Sequence, residues 1–364
     1  MSAFSEPLQE LNEYREAALS LERGLGPVWI SGCLDTQKVH LMHELGANAK
    51  RRVIVTSSES EARLVYEDCR YFDQDVWLYP PRDFLFYDAD IKSNELTAER
   101  VRVLKAMLTK ERCTVILTID SCMEKLDPLE VWEEQRIHLR VGDEIEDLND
   151  FVKKLIQLGY SRQMQAELPG QFALRGGILD IYPLTEENPY RIELWDTEID
   201  SIRIYDPTNQ RSLEEADDAI LYPAVQEIPR EILGGKKRAV KQVSFLDYVR
   251  EEDILFLDEP ARIEDMAETV EAEYYDSLKS RREHGMESAG EMPELFAYAG
   301  LRSCLERKNT VFLSGLDQKI GRFSVKRAYN ITAKSITSYQ SNFELLIKDL
   351  TRGRKEKDRT ILLC

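Results

Sequence analysis

Val28-Trp29-Ile30-Ser31-Gly32-Cys33-Leu34-Asp35-Thr36-Gln37-Lys38 opens on a short apolar run, passes one glycine and enters a polar, helix-compatible stretch. A run of this length bounded by a turn is the pattern of a strand covered on both faces, as in parallel sheets. Val53-Ile54-Val55, Val76-Trp77-Leu78 and Val115-Ile116-Leu117 repeat it. Amphipathic segments lie between them, and Ser58 with Glu61 stands at capping-box spacing ahead of Leu64 and Val65. Strand and helix in alternation predict a parallel, doubly covered α/β sheet.

Beyond Asp127-Pro128 the pattern changes. Ile137 to Val141 alternates like a half-exposed strand, Leu148 to Leu158 reads as a helix stopped by Gly159, and several strands then follow closely. Phe172 to Tyr182, interrupted by Gly176-Gly177, and the pair 191–195 and 199–205 about the turn Asp196-Thr197 predict an antiparallel, mixed α+β insert. Past Pro223 the first style returns, with Ile254 to Leu257 as a buried strand, a long polar helix around Ile263 to Arg282, and Val311-Phe312-Leu313 as another strand. The expected organisation is a first sheet segment at 1–128, the insert at 129–222, a second sheet segment at 223–325, and a linker leading into a further truncated domain at 326–364. In that tail, Phe343 to Leu350 predicts a helix, Arg352 to Arg359 a solvated basic loop, and Thr360 to Cys364 the start of a strand.

The 364 residues are 43% hydrophobic and 32% charged, enough for sizeable cores under a well-solvated surface. Acidic residues outnumber basic ones 67 to 49, and the formal net charge of −18 repels a phosphate backbone at long range. Tight autonomous binding to nucleic acid is therefore not expected. Six cysteines form no CxxC pair and only four histidines are present, so neither zinc spacing nor a disulfide framework is expected, which fits a reducing compartment. No apolar run approaches the roughly 18 residues that span a bilayer.

A strand, loop and helix at Val28 is where a P-loop would sit, and phosphate binding there needs GxxxxGK[ST]. The stretch Ser31 to Lys38 has one glycine, no Gly-Lys-Ser/Thr, and Asp35 directed toward where phosphate would lie; Asp35 or Thr36 is expected to cap an ordinary turn. Asp258 and Glu259 follow a buried strand as a Walker B acid pair does. Without a phosphate cradle they read as a relic with no catalytic, cofactor or metal role. His40 and His43 share a helix face but lack a third ligand.

In a half-buried strand Ile192 and Leu194 point one way, and Arg191, Glu193 and Trp195 the other. Tryptophan and arginine dominate binding hot spots because both combine wide contact area with directional donors. Arg175, just before Gly176-Gly177, is expected to reach the same surface through a bulge, with Ile178 turned inward. The same residues fit a cation–π pair packed for stability alone, and the pattern leaves both readings open.

LPGQFALRGGILDIYP at 168–183, PYRIELWDTEIDSIRIYD at 189–206 and QRSL at 210–213 resemble the insert shared by the transcription-repair coupling factors and UvrB. LRVGDEI at 139–145, YPPRDF at 79–84 and FLDEP at 256–260 stand in the same order, so the resemblance runs from about residue 20 to 325. The loop at Ser31 to Lys38 and the short passage from Pro81 to Leu96 depart from UvrB, which keeps a P-loop and a damage-gripping hairpin. They favour the coupling factors. The resemblance implies a degenerate helicase-like (RecA-like) parallel-sheet domain built from two chain segments around an inserted α+β domain. It places UvrA-contacting positions on Arg175, Arg191 and, with tryptophan for the usual phenylalanine, Trp195. It further implies a bacterial, cytoplasmic protein whose absent parts bind RNA polymerase and duplex DNA, hydrolyse ATP with magnesium, and cover the docking surface intramolecularly. An ATP-dependent damage-recognition protein of the UvrB type is the alternative.

Overall fold

The computed structural model describes residues 5–82, 94–229, 240–283, 294–317, 320–331, 339 and 342–357. The chain forms two units, Met1–Ile331 and Thr332–Cys364. In the first unit the opening segment supplies strands β1 (Val28–Ser31), β2 (Arg51–Thr56), β3 (Val76–Tyr79) and β4 (Cys113–Thr118). The insert adds β5 (Ile137–Arg140), β6 (Ser161–Arg162), β7 (Gln171–Arg175), β8 (Ile178–Tyr182), β9 (Tyr190–Trp195), β10 (Glu198–Tyr205), β11 (Ser212–Ala216) and β12 (Asp218–Leu221). The chain then returns as β13 (Ile254–Asp258), β14 (Thr310–Leu313) and β15 (Arg327–Asn330).

A seven-stranded sheet in the order β15-β1-β14-β13-β2-β4-β3 joins both outer segments, and every pairing in it is parallel. Alternation along its central strands divides the cores. Val53 and Val55 with Val115 and Leu117 enter one apolar cluster, while Ile54 and Ile116 enter the other. Both faces are thus covered, which is why these strands read as unbroken apolar runs. The helix Glu59–Cys69 starts where the capping pattern placed it, with Ser58 Oγ accepting from Glu61 N at 3.3 Å.

The insert is a six-stranded sheet, β11-β10-β9-β8-β7-β6, antiparallel except where β6 meets β7, with a separate β12-β5 ribbon. Its inward residues Phe172, Leu179, Ile181 and Ile192 join the same cluster as Val115 and Trp132, so the insert and one face of the large sheet share a core. The junction is also polar. Arg100, fully buried on the helix Asn94–Thr109, donates to Glu124 Oε1 at 2.8 Å, Pro80 O at 2.9 Å and Tyr79 Oη at 2.7 Å, and Tyr79 Oη also accepts from Gln226 Nε2 at 3.0 Å.

Three local expectations change. Arg327–Asn330, assigned to the linker, is the edge strand of the large sheet, paired with β1; it escapes a search for apolar runs because three of its four residues are exposed. Gly176-Gly177 is not a bulge but the two-residue turn of the β7–β8 hairpin, with Arg175 opposite Ile178. In the second unit the helix Phe343–Glu356 runs on through Arg352, Arg354 and Lys355, which were expected to be loop. Cations at a helix C-terminus complement its dipole and extend it. The expected strand at Thr360 to Cys364 lies outside the described residues, as does most of the passage from Pro81 to Leu96.

Candidate functional site

Directly opposed residues in an antiparallel pair share a face. Ala173 opposes Asp180 and Arg175 opposes Ile178 across β7–β8, while Asp180 opposes Arg191 and Ile178 opposes Glu193 across β8–β9. Arg175, Ile178, Asp180, Arg191, Glu193 and Trp195 therefore lie on one face of the insert. Leu179 and Ile192 occupy the buried face, each at most 1% exposed. Two tight turns meet at one end of this face, Gly176-Gly177 and Asp196-Thr197, with Gly176 and Asp196 both at φ +60°. Leu194 N donates to Gly177 O at 2.7 Å, and a Cβ on Gly177 would lie 2.8 Å from Leu194 O, so glycine permits the close approach.

Asp180 organises the face. Its carboxylate is 1% exposed and accepts from Arg191 through Nε to Oδ1 at 2.7 Å and Nη2 to Oδ2 at 2.9 Å. Arg175 Nη2 reaches Oδ2 from the other side at 2.7 Å. Arg191 Nη2 also donates to Gln210 Oε1 at 2.8 Å, and its guanidinium carbon lies 4.4 Å from the ring centre of Tyr205. Tyr205 Oη donates to Ala166 O at 3.3 Å, tying this stack to the loop before β7. The bond to Asp180, set against desolvation, holds the Arg191 pKa above its ordinary value.

The three expected contact residues thus share a face in unequal states. Trp195 is 80% exposed, and the Arg175 side chain 46%, against 18% for Arg191. The expectation of two freely outward arginines is corrected for Arg191, whose cation–π partner is Tyr205 rather than the tryptophan. Ile178, expected inside, is 37% exposed, because the two-residue turn puts it on the face of Arg175. Asp180, Tyr205 and Gln210 were missed. The signal for Asp180 was an acid among the apolar residues Ile178 to Tyr182, since a buried carboxylate requires a cation.

The strand-to-helix turn at Gly32 holds a second arrangement. Counting four residues from Gly32 gives Gln37-Lys38-Val39 where a phosphate loop carries Gly-Lys-Ser/Thr, so Lys38 stands in the lysine's register. Its ammonium turns inward, 2.6 Å from Glu259 Oε1, 2.8 Å from Asp258 Oδ1 and 3.3 Å from Asp35 Oδ1, with the side chain 3% exposed. Glu259 Oε1 also accepts from Gly315 N at 2.8 Å. Burial alone lowers the lysine's pKa; Asp258 and Glu259 more than offset this and hold it above the ordinary value. Burial raises Asp258, and Lys38 only partly opposes the shift. The helix Asp35–Leu45 has Leu34 at its N-cap, with Gln37 Oε1 accepting from Leu34 N at 3.4 Å, so neither Asp35 nor Thr36 caps it. Among the described residues no group of three or more His, Cys, Asp and Glu side chains is arranged for a metal ion, and no helix is long and apolar enough to cross a membrane. His43 lies instead 3.2 Å from Asp73 Oδ2 and stacks on Phe72.

Residues 137–226, spanning β5 to β12, match the family model of the UvrB interaction domain. Over 98% of its length the chain is 24% identical to a transcription-repair-coupling factor of Bacillus subtilis, and over 64% it is 32% identical to one of Staphylococcus aureus. The alignments cover 34% and 19% of those relatives, so the chain spans about a third of their length or less.

Proposed function

We propose that this chain is the UvrA-recruiting module of a transcription-repair coupling factor, with the insert's outer face as its docking surface. The match of residues 137–226 to the UvrB interaction domain supports an interaction role for that part of the chain. The observation that carries the assignment to one face is Trp195, 80% exposed at the end of β9 beside the turn that carries Arg175. An exposed tryptophan on the same face as an arginine has the composition of a binding hot spot. Arg175 and Trp195 make the contacts in this reading, and Arg191 supports them.

The large sheet is then a degenerate helicase-like domain of 1–128 and 223–331 that carries the insert and binds no nucleotide. Gln37 and Val39 replace the glycine and hydroxyl of the phosphate loop. Lys38 is engaged by Asp258 and Glu259, which leaves that acid pair as a relic with no metal ion to hold. Nucleotide hydrolysis with magnesium, movement on duplex DNA and contact with RNA polymerase belong in this reading to other parts of a longer bacterial, cytoplasmic protein. Such a part is also the natural cover for the docking face until recruitment is needed. Co-purification tests the proposal: the chain retains UvrA on a column, and substitution of Arg175 and Trp195 together releases it. Retention undiminished in the double variant would remove the face from the assignment.

A further inference from the structure

Two guanidiniums share one buried carboxylate on the docking face, and they share it unequally. Arg191 meets Asp180 through two nitrogens and is held from two further directions by Gln210 and the Tyr205 ring. Arg175 meets it through Nη2 alone and keeps its remaining donors toward solvent. We propose that Asp180 is a positioning residue that presents Arg175, already oriented, to an acidic group of the partner, while Arg191 is the strut that neutralises Asp180 and holds it in place.

This rests on the docking reading above and adds a division of labour to it. An arginine must lose side-chain freedom to bind a carboxylate, and a carboxylate beneath it removes that cost before the partner arrives. Opposite predictions separate positioning from simple charge shielding. If Asp180 merely competed for the arginines, neutralising it would free them and strengthen attraction to an acidic partner. If it positions them, neutralising it weakens binding although no contact residue has changed.

The test uses the purified chain and UvrA, at a temperature where circular dichroism shows every variant folded. Arg175→Glu is expected to reduce affinity by roughly 30-fold or more without changing the fold; retained affinity would overturn the docking reading itself. Asp180→Asn is expected to reduce affinity by roughly tenfold, mainly through faster dissociation. Unchanged or increased affinity in that variant, alongside a loss in Arg175→Glu, would overturn the positioning role alone. A second measurement needs no folded variant and no partner: nitrogen-15 spectra of the arginine side chains in the unsubstituted chain. Hindered guanidinium rotation is expected at both Arg191 and Arg175, and a freely averaging Arg175 would overturn the proposal.

Discussion

The Lys38 ammonium lies 2.6 Å from Glu259 Oε1, spanning from the first turn of the helix Asp35–Leu45 to the residue that follows β13. A lysine in phosphate-loop register is the internal counter-ion of Asp258 and Glu259. Removing one partner of such a buried group leaves charge uncompensated, which costs about 3–5 kcal/mol. Lys38→Met is therefore expected to lower stability by about 3 kcal/mol or more, read from urea unfolding. A change within the error of the midpoint would show that the cage is not structural.

The same occupancy predicts that the chain neither binds nor hydrolyses ATP. Equilibrium titration with ATP and magnesium should give no saturable signal, and stoichiometric binding would restore the UvrB-type alternative. The net charge of −18 adds that retention on duplex DNA should be weak and should vanish as salt rises.

The two arginines that share Asp180 should separate in stability as well as in binding. Arg175→Ala removes a half-exposed side chain and is expected to shift stability by about 0–1 kcal/mol. Arg191→Ala leaves the buried Asp180 with a single partner and strips the cover from Tyr205, at a cost of about 3 kcal/mol. Reversing both charges, which alternation alone treats as a harmless surface change, should unfold the insert because Asp180 would then face two acids. Equal melting temperatures for the two alanine variants would contradict the strut assignment.

How much of this was legible in the sequence depends on where side-chain partners come from. The apolar runs at Val53, Val115 and Ile254 announced their strands because both faces of the large sheet are buried, and alternation at Ile192 gave the exposed side of β9. Edge strand β15 was not legible, since three of its four residues are exposed and leave no apolar signature. Strand alternation placed Arg191 and Trp195 on one face but did not give the state of Arg191, because its partners Gln210, Tyr205 and Asp180 come from three other points along the chain. Lys38 was hidden for the same reason: Glu259 is 221 residues away.

Buried thiols set an alkaline limit. Burial pushes Cys113 up to about 11 and Cys33 and Cys69 up to about 12 from an ordinary 9.0. A thiol with a raised folded pKa contributes stability that is fully present below pH 9 and is lost as pH climbs through 11 to 12. Melting temperature should accordingly fall across that window. At pH 8 alkylation of the folded chain should spare all three, since the thiolate is the reactive form. Rapid labelling of Cys33 in the folded chain would contradict the buried turn.

The most direct test of the central claim is calorimetric titration of UvrA with the purified chain and with Trp195→Ala, whose fold should be unaffected because the side chain is exposed. The account predicts saturable binding to the unsubstituted chain and a loss of about 2 kcal/mol or more in the variant, with melting temperatures unchanged. Equal affinity in both, or no binding by the unsubstituted chain, would contradict it.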